Sequence, residues 1–234
     1  MLTREEAGNL RTLLPELIAS LDPGGIAYEI LVVDADSKDG SAHIAASHGA
    51  RVVRQGQPGY GNALREGIAM ARGALLLTLD ADLSHRPQFL ERMLGLRHAA
   101  DIVIASRYVA GGGADMPLTR RVLSKVLNGV FSTLLRIPVR DMSSGFRLYR
   151  LDAIRDLPIA GEHFDVLPEI VSMASLRGAR IREIPFHCNA REAGVSKARA
   201  FAFAPSYWRT LRRCRRERRM LRKTPRALGR NYAE

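Results

Sequence analysis

The chain predicts an α/β domain built on a doubly wound, mostly parallel sheet. Short apolar runs of strand length alternate with amphipathic stretches of helical period. Two of those runs, Tyr28–Asp34 and Ala74–Asp80, end in an aspartate where a buried strand gives way to a loop. At 234 residues and 46% hydrophobic, the chain has the size and apolar content for one ordinary domain with a real core, which excludes a disordered chain.

The elements follow in order. Glu5–Ser20 sets Leu10, Leu13, Leu14, Leu17 and Ile18 on one face of a helix. Tyr28–Asp34 (YEILVVD) is a strand, Gly40–His48 a short helix and Arg51–Arg54 a short strand. Gly61–Arg72 repeats Ala63, Leu64, Ile68 and Ala71 at helical spacing. Ala74–Asp80 is a strand, and Pro87–Arg97 is a helix opened by proline in its first turn. Asp101–Ser106 (DIVIAS) is again a strand. Beyond Gly111-Gly112-Gly113 the pattern changes to a helix over Leu118–Leu135, a loop over Asp141–Gly145 and a short strand at Phe146–Tyr149. A helix at Val166–Leu176 and a strand at Arg180–His187 follow. The series opens on a helix where a doubly wound domain leads with a strand. The first strand is therefore expected to be missing, either from the domain or through a truncated or misassigned start.

Charge divides the chain in two. Of the net +12, the stretch Arg209–Arg230 carries eleven Arg and Lys against Glu217 alone, so residues 1–208 stand at only about +3. A domain over residues 1–200 and a basic tail over residues 201–234 are expected. Trp208 and Leu211, with Phe201 and Phe203, give that tail an apolar side among arginines. Such segments lie on anionic membrane surfaces, so a peripheral place on the cytoplasmic face of the inner membrane is expected. A solvated basic tail is the plain alternative. Nucleic acid is disfavoured as a partner because the domain is near neutral. Cys188 and Cys214 suggest neither a zinc site nor a disulfide framework, which makes a reducing compartment the default. The N-terminus lacks the apolar core of a signal peptide. No run approaches the roughly 18 apolar residues of a membrane span.

The chemistry is most legible in Leu79-Asp80-Ala81-Asp82-Leu83-Ser84-His85, where a core strand runs into a loop. Two carboxylates there repel unless a cation neutralises them. Hard divalent ions take carboxylate oxygens and share them with substrate phosphates. The plainer reading is a turn opened by aspartate.

Other segments align with it: Val33-Asp34-Ala35-Asp36-Ser37-Lys38-Asp39-Gly40, Gly59-Tyr60-Gly61-Asn62-Ala63, Ser106-Arg107-Tyr108, Asp141-Met142-Ser143-Ser144-Gly145-Phe146-Arg147 and Arg191-Glu192-Ala193-Gly194-Val195-Ser196-Lys197. In this order and spacing the chain resembles the family 2 inverting glycosyltransferases of GT-A fold, over about residues 3–200. Within them it looks most like the dolichol- and polyprenol-phosphate mannosyltransferases. The resemblance implies transfer of a sugar, mannose favoured, from a nucleotide sugar, GDP-mannose favoured, to a polyprenyl phosphate with inversion, aided by Mg²⁺ or Mn²⁺. Two alternatives stand beside it. One is a glycosyltransferase using a UDP-sugar and another acceptor. The other is a degenerate, non-catalytic, membrane-associated protein that binds sugar nucleotides.

The resemblance also implies roles for residues. Asp82 is the metal ligand, with Ser84 where a glutamine is usual. Asp80 lies beside the sugar or ribose, and Ala81 belongs with both in the donor site. Glu6 occupies the glutamate of the family's opening motif. Either Asp34 or Asp36 contacts the base or ribose, the plain reading of both being turn chemistry. Arg107, Arg120 and Ser124 contact the acceptor phosphate. Arg120 shares a helix face with Ser124, and the plain reading of Arg120 is a solvated helix face. Arg191 and Lys197 contact the donor diphosphate or the acceptor phosphate. His85 is a metal ligand or a solvent-facing loop residue. Gly59, Gly61 and Asn62 approach the ligand or simply shape the loop that enters the helix, and Phe164 and Glu169 are structural or functional. No convincing general base is visible. A phosphate monoester, with a second pKa of about 6, needs none.

Overall fold

The computed structural model describes residues 1–22, 25–189 and 204–223. The chain runs β1 (Leu2–Thr3), α1 (Ala7–Leu21), β2 (Leu31–Asp34), α2 (Ser41–Ser47), β3 (Arg51–Arg54), α3 (Tyr60–Met70) and β4 (Leu75–Thr78). A 3₁₀ turn at Pro87–Phe89 leads into α4 (Leu90–Leu94), then β5 (Ile102–Ser106), β6 (Gly113–Ala114) and α5 (Leu118–Leu135). After β7 (Arg147–Arg150) and a second 3₁₀ turn come α6 (Val166–Leu176), β8 (Ile181–Pro185), β9 (His187–Cys188) and α7 (Ala204–Lys223).

Strands β1, β2 and β3 pair in parallel, and a second sheet runs β4-β7-β5-β8. A parallel bridge between Leu2 and Asp80 joins the two. The first strand is thus present, against the expectation that it is missing. It is two residues long, too short for any period-2 pattern to show. Leu2 registers with Val33 and Thr3 with Asp34, which places β1 between β2 and the Asp80 strand end. The short strand expected at Phe146–Tyr149 is β7, shifted by one residue, and it runs antiparallel to both β4 and β5. The rest of the ladder is parallel, including β5 with β8.

Apolar side chains pack on both faces of the sheet. On one face Leu10, Leu13 and Leu14 of α1 and Met93 of α4 meet Val32, Val103 and Leu148. On the other, Leu64 of α3, Phe131 of α5, Ile170 of α6 and Leu211 of α7 meet Ile102, Ile104 and Tyr149. The alternation of Ile102, Val103 and Ile104 between the faces is the strand period made visible. The three α1 leucines are fully buried, and each contributes about 1.5–3 kcal/mol by leaving water.

Helix α7 docks on this second face. Leu211 and Cys214 are buried, Thr210 Oγ1 donates to Asp165 Oδ2 at 2.7 Å, and Arg213 Nε donates to Glu169 Oε1 at 2.5 Å. The opposite face shows Arg212, Arg215, Arg216 and Arg219 to solvent at positions i, i+3, i+4 and i+7. No helix among the described residues is long and apolar enough to cross a membrane. Phe201, Phe203, Arg191 and Lys197 lie outside the described residues.

Candidate active site

A cleft of about 1320 Å³ opens beyond the carboxyl ends of β1, β2, β4 and β5 and continues between α5, α6 and α7. Parallel strands leave their carboxyl-end loops on one edge, so those of the predicted segments that lie among the described residues meet there.

The two aspartates occupy the centre. Asp80 is half-buried and lines the cleft, whereas Asp82 is buried. Leu83 adopts φ 62°, a left-handed conformation that turns the chain back sharply. Asp82 Oδ1 then accepts hydrogen bonds from the Ser84 backbone N–H at 3.2 Å and the Ser84 hydroxyl at 2.5 Å. His85 returns beneath Asp80. Its Nδ1 accepts the Asp80 N–H at 2.9 Å, so the neutral ring carries its proton on Nε2, 3.9 Å from Asp80 Oδ2. The ring stacks on Phe146 at 4.9 Å and meets Phe186 edge-on. His85 is therefore a buried brace for Asp80, which corrects its reading as a solvent-facing loop residue.

Among the described residues no group of three or more His, Cys, Asp or Glu side chains converges as a metal cage. The available set is Asp80, Asp82 and the Ser84 hydroxyl, all on the cleft. Hard oxygen donors in that number suit Mg²⁺ or Mn²⁺, which keep further positions for water and substrate phosphates.

At one end of the cleft stand the donor-site candidates. Asp34 is buried and fastens its own turn. Its Oδ1 accepts from the hydroxyls of Thr3 at 2.9 Å and Ser37 at 2.7 Å, and its Oδ2 accepts from the Ser37 N–H at 2.9 Å. Asp36 lines the cleft instead, at φ 59°, paired with Lys38 at 2.6 Å and Arg54 at 3.4 Å. Of the two alternatives, Asp36 is the one on the cleft wall. Glu6 lines the same wall, with Oε2 accepting from Asn9 Nδ2 at 2.7 Å, and Ala81 lies buried between the aspartates.

The other end is built on Arg107, which follows β5. Its Nε and Nη2 donate to Asp141 Oδ2 and Oδ1 at 2.8 and 2.7 Å, and Nη2 also reaches Ser143 Oγ at 2.8 Å. Ser143 Oγ lies 3.2 Å from Ser124 Oγ on α5 and accepts from Asn128 Nδ2 at 3.2 Å. Arg107 and Ser124 thus share one network, with Ser143 between them. Arg120 is exposed on the cleft rim one helical turn before Ser124. Beyond it the wall turns apolar, formed by Leu123, Leu127, Phe131, Leu167, Tyr207 and Leu211.

Three supports escape the sequence reading. Asp141 lies in a segment that carries the family resemblance, where spacing alone gives it no role. Ser143 links Arg107 to α5. Glu183 accepts from Ser106 Oγ at 2.7 Å and the Asp141 N–H at 2.8 Å through Oε1, and from the Arg140 N–H at 2.7 Å through Oε2. A lone acid inside the strand Ile181–Pro185 was the available signal.

The glycines of the Gly59–Asn62 segment allow backbone to approach backbone. A Cβ on Gly59 or Gly61 would collide with the carbonyl oxygens of Glu162 or Gly161. The Gly61 N–H donates to Glu162 O at 2.9 Å. Buried Glu169 holds the facing loop, its Oε2 accepting the N–H groups of Ala160 at 3.1 Å and Gly161 at 2.7 Å.

Comparison with known proteins accords with this geometry. The family described as Glycosyl transferase family 2 matches residues 1–157. Uncharacterized glycosyltransferases of Mycobacterium bovis and Mycobacterium tuberculosis are 32% identical over 185 residues, 79% of this chain and 83% of theirs. The fold is similar to that of mannosyl-3-phosphoglycerate synthase from Rubrobacter xylanophilus, with TM-score 0.74 and 23% identity over 100% of this chain and 78% of that one. It is also similar to glucosyl-3-phosphoglycerate synthase from Mycobacterium tuberculosis in complex with Mn²⁺, UDP-glucose and phosphoglyceric acid. There the TM-score is 0.68 and the identity 20%, over 91% of this chain and 77% of that one. The sheet, the carboxylate pair at its edge and the sequence match agree: the chain belongs to glycosyl transferase family 2 and has the GT-A fold.

Proposed function

We propose that the protein transfers a hexose from a nucleotide sugar to the phosphate of a polyprenyl phosphate, with inversion at the anomeric carbon. The observation that carries the lipid acceptor is the continuity of the cleft. The Arg107–Ser143–Ser124 network passes directly into the apolar wall of α5, α6 and α7. A phosphate at the network would leave its hydrocarbon chain along that wall, where burial is favourable.

Asp80, Asp82 and Ser84 would hold Mg²⁺ or Mn²⁺ beside the donor diphosphate, and the ion would supply neutralisation of charge on that leaving group. Asp36 and Glu6 stand where the nucleoside lies. Arg107 contributes an oriented guanidinium at the acceptor end, because Asp141 and Ser143 fix it before any ligand arrives. Arg120 adds a movable cation at the rim, and Arg191 and Lys197 are assigned to the phosphates by the same reading. The acceptor phosphate is ionised near neutral pH, so positioning replaces proton abstraction. Mannose from GDP-mannose is the favoured donor pair.

The unit over residues 1–200 does the chemistry in this reading, and the segment over residues 201–234 brings it to an anionic membrane surface. The exposed arginine face of α7 and the half-exposed Trp208 support that role on the cytoplasmic face of the inner membrane.

A second reading has its own support. Two enzymes of similar fold are phosphoglycerate glycoside synthases, and one holds UDP-glucose. A UDP-sugar donor with a small phosphorylated acceptor would use the same phosphate network without the apolar wall. The paired β1 and the retained carboxylates weigh against a degenerate, non-catalytic protein.

The deciding experiment pairs GDP-mannose and UDP-glucose, in Mn²⁺, with a short polyprenyl phosphate and with 3-phosphoglycerate. Transfer to the polyprenyl phosphate is expected. Transfer to 3-phosphoglycerate alone would establish the second reading. No transfer from any pair would leave the non-catalytic one.

A further inference from the structure

Tyr60, in the Gly59–Asn62 segment, is used by neither the carboxylate pair nor the acceptor network. Its ring stacks on Phe164 at a centroid separation of 4.5 Å and an interplanar angle of 27°. The close packing of Gly59 and Gly61 on Gly161 and Glu162 fixes the backbone on either side. The ring is thus held by its stack and by the backbone beside it, and it lines the cleft. Among the described residues no hydrogen bond reaches its hydroxyl.

Asp80 faces it across Gly145. A Cβ on Gly145 would lie 3.2 Å from Tyr60 Oη and 3.3 Å from Asp80 Oδ1. The absent side chain leaves a gap with a hydroxyl donor on one flank and a carboxylate acceptor on the other. An alcohol satisfies both, since it accepts and donates at once. An apolar group would leave both polar groups unpaired.

We infer that Tyr60 and Asp80 form a subsite for one hydroxyl of the transferred hexose, with Gly145 as its floor and Tyr60 as a residue that determines donor specificity. This rests on the reading of the donor as a nucleotide sugar. A phenol keeps its proton at neutral pH, so the oxygen donates.

The test uses Tyr60→Phe in the full chain, which keeps the ring and its stack on Phe164 and removes one oxygen. Binding of GDP and UDP alone is compared with binding of GDP-mannose and UDP-glucose, all in Mn²⁺, by titration calorimetry. Affinity for the bare diphosphates should stay within about twofold of wild type, and affinity for the matching sugar conjugate should fall about tenfold, the share of one hydrogen bond. An unchanged affinity of Tyr60→Phe for the sugar conjugate, or an equal loss for the bare diphosphate, would overturn the subsite. Wild-type protein that takes up no nucleotide sugar would overturn the donor reading as well, which separates the two failures.

Discussion

Arg107 and Asp141, 34 residues apart, meet in a two-point ion pair, and Asp141 Oδ2 also accepts the Arg107 backbone N–H at 3.0 Å. Asp141 is fully buried. Burial pushes its carboxyl up, but the hydrogen bonds and charge of Arg107 outweigh that and hold it below the usual range. The same pair raises the Arg107 guanidinium against the opposing effect of burial. The Arg107 guanidinium on the cleft is therefore a fixture of the fold.

Removing one partner of a buried pair leaves the other charge stranded. Asp141→Ala should lower the unfolding free energy by about 3 kcal/mol or more, read by urea denaturation at pH 7. The pH dependence has a definite sign. A carboxylate with a depressed native pKa contributes stability that is full above its unfolded value of about 4 and is lost as pH falls through the native value. The gap between wild type and Asp141→Asn should therefore narrow as pH falls below about 4. Asp101, also held low by Arg180, is common to both proteins and cancels in that difference. A gap of constant size from neutral to acid pH would contradict the pairing.

Gly61→Ala tests the contact of backbone with backbone. A Cβ there would strike the Gly161 carbonyl, with no flexible side chain to give way. A stability loss of about 2–3 kcal/mol is expected from such overpacking. Thermal unfolding measures it, and a melting temperature equal to wild type would remove the close approach.

Glu169 couples α7 to that same loop. Its Oε2 holds the Ala160 and Gly161 N–H groups and its Oε1 holds Arg213. Glu169→Ala should cost about 3 kcal/mol by stranding these donors. Glu169→Gln keeps an amide oxygen for the backbone and should cost less, about 1–2 kcal/mol. Denaturant midpoints that place the two variants together would contradict this division of labour.

Much of this was legible in the chain. Helices and central strands could be read because their side chains follow the 3.6 and 2.0 periods set by burial. Asp80, Asp82 and Arg107 could be placed on the cleft because each follows an apolar strand at the carboxyl edge of the sheet. Strand β1 could not be read, since two residues carry no period. Nor could the antiparallel place of β7. Its sequence RLYR hides buried Arg147, whose charge is met by the carbonyl oxygens of Met142 at 2.7 Å and Leu167 at 2.9 Å. His85 as a brace, and Ser143 and Glu183 as links, depend on contacts between distant segments that local spacing does not encode.

Membrane attachment is predicted to reside on one face of α7. Replacing Arg212, Arg215, Arg216 and Arg219 with alanine spares buried Leu211 and Cys214. At about 1 kcal/mol for each basic residue near an anionic surface, partitioning onto phosphatidylglycerol vesicles should fall by at least tenfold at low salt. Co-sedimentation reads this, and unchanged partitioning would remove the membrane role of α7.

Donor binding by the carboxylate pair is tested most directly by titrating GDP-mannose and UDP-glucose into wild-type protein and Asp82→Ala, each with and without Mn²⁺. Wild type should bind one of the two donors only when the ion is present. Asp82→Ala should lose that ion-dependent binding by about a hundredfold or more, as expected when one carboxylate of a two-carboxylate ion site is deleted. Equal binding by both proteins, indifferent to the ion, would contradict the assignment of Asp80 and Asp82 to a cation clamped on an activated sugar.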